Sequence, residues 1–110
     1  MRGRRAAEVL ALPVRLHGIQ LGRPAGALLD RGADRLIGFE VACGDGARRF
    51  LPYAVAQVRT EEIVVDSAWM LIDESDLAFY RQHSRSLEEC GYLDPWIDDD
   101  GGVHETLSAA

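Results

Sequence analysis

From position 37 to position 43 the chain alternates with a strict period of two, Ile37, Phe39, Val41 and Cys43 on one face and Gly38, Glu40 and Ala42 on the other. A helix scatters such a pattern around its axis, whereas a half-buried strand requires it. Gly44, Asp45 and Gly46 then supply residues tolerant of positive φ, and 48–51 returns, so the sequence predicts a core hairpin. Pro52 closes its second strand, because proline cannot donate to a ladder.

Other short apolar segments follow the same logic. Residues 14–19 and 25–30 read as two strands, with Gly18, Gly22 and Gly26 permitting bends, and 63–66 and 69–72 add β-branched and aromatic runs. Six strands this short are best protected by curling around one core, which hides their edges. A chain of 110 residues has room for one such core, burying roughly 60–68% of its unfolded surface. The expected fold is therefore mainly β: a small closed or partly open β-barrel over 13–73. At Asp73 the period changes. Asp73 or Ser75 can cap a helix over 74–88, with Glu74 and Asp76 in its first turn and Arg81 and Arg85 near its end. Leu77, Tyr80 and Leu87 share its apolar stripe, which Ser84 interrupts. Residues 1–12 form a basic arm, expected to fray, and 89–110 an acidic, aromatic tail in which regular structure fades.

Charge is distributed unevenly. Residues 1–60 carry ten arginines against five acids and 61–110 carry two against thirteen, a split of +5 and −11 inside a net −6. Every basic residue is arginine, so no lysine is present to act as an amine nucleophile or Schiff-base former. The acidic total argues against wholesale nucleic-acid binding but leaves room for a local basic face. Its longest uncharged run, 50–58, is too short to span a bilayer as a helix. Arg2, Arg4 and Arg5 precede an apolar stretch that Glu8 breaks, with no small-residue cleavage site after it, so a cytoplasmic location is expected. Cys43 and Cys90 lack a CxxC spacing and are expected to be reduced there.

Residue patterns that would carry chemistry are weak. His17, His83 and His104 fall in a predicted strand, the helix and the tail, with no HxxxH, HExxH or CxxC element, so no metal site is expected. If Gly101 took the sixth position of a calcium loop, Trp96 and Leu107 would occupy its first and last ligand positions, and neither is a ligand. Ser67, Ser75, Ser84 and Ser86 lack a GxSxG elbow, and Gly44-Asp45-Gly46 is a hairpin turn without a following lysine. No enzyme activity and no cofactor are expected.

The ordered stretches LGRPAGALLD, RLIGFEVAC, RRFLPYAVAQV and EEIVVDS resemble the PRC-barrel family, named for photosynthetic reaction-centre H subunits and similar to the C-terminal barrel of ribosome-maturation factors. The resemblance is carried by Gly22, Pro24, Gly26, Asp30, Gly38, Leu51, Pro52, Val55, Val64 and Val65 and covers about 14–72. It implies a small barrel that docks on other macromolecules and has no general catalytic motif.

In the tail, Tyr92, Leu93, Trp96 and Ile97 are interleaved with Asp94 and Asp98 to Asp100. Apolar groups among acids suit docking on a basic surface. That surface is either the chain's own barrel, where Arg15, Arg23, Arg31, Arg35, Arg48 and Arg49 concentrate, or a partner; the third option is a free tail. The expected function is a non-enzymatic interaction or adaptor module that binds a protein partner through Arg23, Arg31, Arg48, Arg49, Tyr92, Trp96, Asp98, Asp99 and Asp100. A homodimer is a further expectation. The alternative is an accessory factor that binds ribosomal protein or RNA during maturation, with Arg23, Arg31, Arg48 and Arg49 on phosphates.

Overall fold

A computed structural model describes residues 3–106, so Arg2 of the basic arm and 107–110 of the tail lie outside the described residues. The fold is mainly β. Its larger sheet is built from β2 (Val14–Leu16), β3 (Ile19–Asp30), β4 (Leu36–Cys43), β5 (Arg48–Pro52), β6 (Gln57–Val58) and β7 (Ile63–Val64) in the order β5-β4-β3-β2-β7-β6, and β8 (Ser84–Ser86) pairs with the far end of β3. Neighbours are antiparallel except β2 and β7, which run parallel.

The expected hairpin is present. Gly46 adopts φ 87°, Cys43 N donates to Ala47 O at 2.9 Å, and β4 and β5 pair from Gly38↔Pro52 to Ala42↔Arg48. Phe39, Val41, Leu51 and Val14 are fully buried on the inner face with Leu29 and Ile63. Each such side chain contributes about 1.5–3 kcal/mol of burial. Ile37 departs from the expected face. Leu29 pairs with Leu36 but Leu28 with Gly38, so Ile37 is an extra residue in the ladder, a bulge that turns it to the outer face. There Leu28, Phe50 and Leu77 form a second apolar cluster, and Phe50 stacks on Tyr80 at 4.2 Å.

Several expectations need correction. Of the two forms expected, the closed barrel is not formed, because the ladder has two ends, β5 and β6, and does not return on itself. The outer edge of β5 is occupied at Phe50, which exchanges both main-chain bonds with Ile72. A two-residue β6 offers too little ladder to complete a cylinder. Residues 25–30 are not a separate strand but the second half of the twelve-residue β3. His17 lies not in a strand but in the two-residue turn from β2 to β3, with φ 50° there and 81° at Gly18, as a tight hairpin connection demands. Residues 69–72 are not a strand: a 3₁₀ turn spans Ala68–Met70 and only Ile72 pairs.

The helix expected over 74–88 stops early. Helix α2 (Glu74–Gln82) follows α1 (Ala6–Leu10) in chain order and ends before Ser84, whose hydroxyl donates to Tyr80 O as the chain enters β8. Arg85 therefore lies on a strand, and Leu87 opens a separate short helix, α3 (Leu87–Cys90).

The two ends of the chain are ordered together. A second sheet places β9 (Trp96–Asp98) between β1 (Gly3–Arg5) and β10 (Val103–His104). Ile97 and Val103 are buried in the main core beside Ala6, Val9 and Leu12. The frayed arm and fading tail are thereby corrected: each supplies the other's hydrogen-bond partners, a long-range pairing that local composition does not encode. Among the described residues no helix is long and apolar enough to cross a membrane.

Candidate functional site

The acidic tail folds back on its own chain, mainly through main-chain groups, beside a 3.6 Å ion pair between Asp94 and Arg5. Arg35 Nη2 donates to Asp100 O at 2.7 Å, Leu36 N to Gly101 O at 2.8 Å and Val103 N to Asp34 O at 2.7 Å. Asp98 stays inside its own turn, where it accepts from Asp100 N at 2.8 Å and Gly102 N at 2.9 Å, with His104 Nε2 at 2.7 Å. Those donors, His104 foremost, hold its carboxyl below the usual range. Trp96 stacks on His104 at 4.4 Å between ring centres. The Tyr92 hydroxyl donates to Asp34, which pushes the phenol up to about 12. Asp99 and Asp100 are exposed and make no salt bridge among the described residues.

Most of the expected docking arginines are engaged within the chain. Arg23 donates to Ala11 O at 3.3 Å, and Arg31 grips Gln82 O through Nε at 3.2 Å and Nη2 at 2.6 Å. Arg49 forks onto Asp45 at 3.1 and 2.9 Å and reaches Asp73 at 3.9 Å. Arg48 is exposed and makes no side-chain bond among the described residues. The nine expected residues thus form no common patch: Arg48 and Arg49 lie on β5, Arg31 reaches the end of α2, and the tail group sits against the loop before β4.

Histidines and cysteines are dispersed too. His83 caps the end of α2 against Phe79, His17 sits in its turn, and Cys43 and Cys90 are free thiols. Among the described residues no three His, Cys, Asp or Glu side chains gather closely enough to hold a metal ion.

A groove that the sequence did not announce has a volume of about 660 Å³. Its floor is apolar: Leu21 at the start of β3, Cys43 at the end of β4, and Leu71 and Ile72 after the 3₁₀ turn. Gly44 N bonds Leu21 O at 3.1 Å, tying the hairpin turn to β3 on one side, and the Phe50–Ile72 pair fixes the other side. Above it stands Trp69, 93% exposed. Its position is set locally. Ser67 Oγ accepts from Trp69 N at 3.2 Å, and Met70 N and Leu71 N close the turn on Ser67 O and Ala68 O. A side chain at the outer corner of so tight a turn has nothing to pack against.

The rim is acidic. Asp45, Asp73 and Asp76 line it together with a single guanidinium, that of Arg49. The Arg49 fork and Ala47 N hold the Asp45 carboxyl at about 2, so it stays ionised at any physiological pH. Asp73 is 80% exposed, and Asp76 has no ion-pair partner among the described residues. Of the nine residues expected to bind a partner, only Arg49 lines this groove. The exposed turn at Trp69 did have a signal, Ser67 two residues before it, a hydroxyl cap inside what reads as an aromatic strand. A smaller cleft of about 360 Å³ lies between β1, the 53–58 segment and Asp98–Asp99, with Arg4 bridging it to Thr60 O at 3.0 Å. Comparison with known protein families, with curated proteins and with solved structures found no match.

Proposed function

We propose that this chain is a non-enzymatic interaction module, a PRC-barrel-like fold in the cytoplasm, that docks a protein partner in the groove beneath Trp69. The carrying observation is the exposure of that indole above an apolar floor. Tryptophan is among the side chains most often responsible for binding energy at interfaces, and burying it removes 150–250 Å² of ring surface in round terms, about the largest single-residue contribution available. The free thiols suit a reducing compartment.

The docking face in this proposal differs from the one the charges suggested. Arg23, Arg31 and Arg49 hold the chain's own carbonyls and carboxylates, and the tail holds the ends of the chain together. For the same reason the RNA reading has less support: three of the four arginines it needs are committed elsewhere, with Arg48 the exception.

Site-specific photo-crosslinking in cells tests the proposal. A photoreactive residue in place of Trp69 should give a discrete protein adduct, and one in place of Arg48 should not. Adducts from position 48 alone, or adducts to RNA, would overturn it.

A further inference from the structure

Resting on that reading of the groove, we infer that its occupant is a short segment of another protein that offers an apolar side chain to the floor and a lysine or arginine to the rim. The argument is one of charge complementarity. Asp45 is neutralised by the two-pronged bond from Arg49, which leaves that guanidinium only a long 3.9 Å contact with Asp73. Asp73 and Asp76 therefore carry surplus negative charge beside an apolar floor. An acidic segment would meet repulsion there, and a neutral one would leave both carboxylates to lose water without compensation. A basic side chain gains twice, from these carboxylates and from the exposed face of the Trp69 ring, whose quadrupole attracts cations.

Size sets the scale of the occupant. About 660 Å³ accommodates a few side chains, not a folded domain. The groove lies at the ends of β3 and β4 beside β5, whose outer edge Ile72 already occupies at Phe50, so side chains rather than an added ladder supply the contacts.

The test is selection of random twelve-residue peptides displayed on phage against the immobilised full chain, with counter-selection on Trp69→Ala. Peptides that require Trp69 should be enriched in Lys and Arg over Asp and Glu and carry at least one large apolar residue. Their affinity should fall roughly three- to tenfold on Asp73→Asn with Asp76→Asn, as expected for two exposed ion pairs. Peptides that require Trp69 yet show no basic enrichment would overturn the inference and leave the groove as the docking face. Recovery of no Trp69-dependent peptide would overturn both.

Discussion

Oδ2 of Asp98 lies 2.7 Å from Nε2 of His104, across the turn that joins β9 to β10. The same carboxylate receives the amides of Asp100 and Gly102, so one side chain organises the hairpin that pairs the end of the chain with its beginning. Its folded pKa is lowered, first by His104 and then by the Gly102 amide. The stabilisation is therefore fully present above the ordinary value of 3.8 and is lost as pH falls through the lower folded value. Protection of the Asp100 and Gly102 amides, measured against the exchange rate of an unstructured peptide at the same pH, is expected to fall below pH 3.8 before that of Phe39 does. Asp98→Ala should bring the same local loosening to neutral pH. Uniform exchange across both sites at every pH would refute the assignment.

Tyr92 is held protonated by its bond to Asp34, with a pKa of about 12. Asp34→Asn should move one tyrosine transition in an ultraviolet titration downward toward the ordinary value of 10.0. Tyr92→Phe should remove that transition, which identifies the residue.

The hydrophobic face of the tail matters more to stability than its charge. Ile97→Ala should destabilise the chain by about 2–5 kcal/mol, since it opens a cavity beside Val9 and Val103. Asp99→Ala, on an exposed residue, should stay within about 0.5 kcal/mol. Urea unfolding measures both, and equal effects would return the tail to the status of a loose appendage.

Gly38 and Gly26 separate a close approach from an ordinary strand position. A Cβ at Gly38 would stand 2.5 Å from Cζ of Phe50 and collide with Leu51 O, whereas one at Gly26 meets nothing within 4 Å. Gly38→Ala is expected to cost about 1–3 kcal/mol and Gly26→Ala to change stability by less than about 0.5 kcal/mol. The comparison is made by chemical denaturation of the two variants.

Trp69→Ala should leave folding stability within about 0.5 kcal/mol of the parent, because a side chain 93% exposed contributes little to the core. Thermal unfolding checks this, and a large loss of stability would mean that Trp69 packs inward and is not a docking residue.

The hairpin of Phe39, Val41 and Leu51 was legible in the sequence because its information is local: a period of two, a glycine turn and a proline stop within sixteen consecutive positions, 37–52. The displacement of Ile37 was not, since a bulge is decided by how β4 meets Leu28 and Leu29 on another strand. The helix start at Asp73 was legible from its acidic first turn, but its end was not, because β8 forms only when β3 is there to receive it.

For the functional surface the balance is similar. The order of charges along the sequence established the excess of arginine in residues 1–60 and of acid in 61–110, and with it an attraction between the two segments. Which groups meet was a matter of tertiary structure. Main-chain carbonyls of Asp100 and Gly101, identical in kind to those of any residue, took Arg35 and Leu36 N, and Arg49 was claimed by Asp45 four residues away. A groove has no local signature because its walls come from β3, the turn after β4 and the 68–76 segment, far apart along the chain. Side-chain identities fixed what each residue prefers to touch; only the folded path decided which of those preferences were satisfied inside, and so which were left facing outward at Trp69, Asp73 and Asp76.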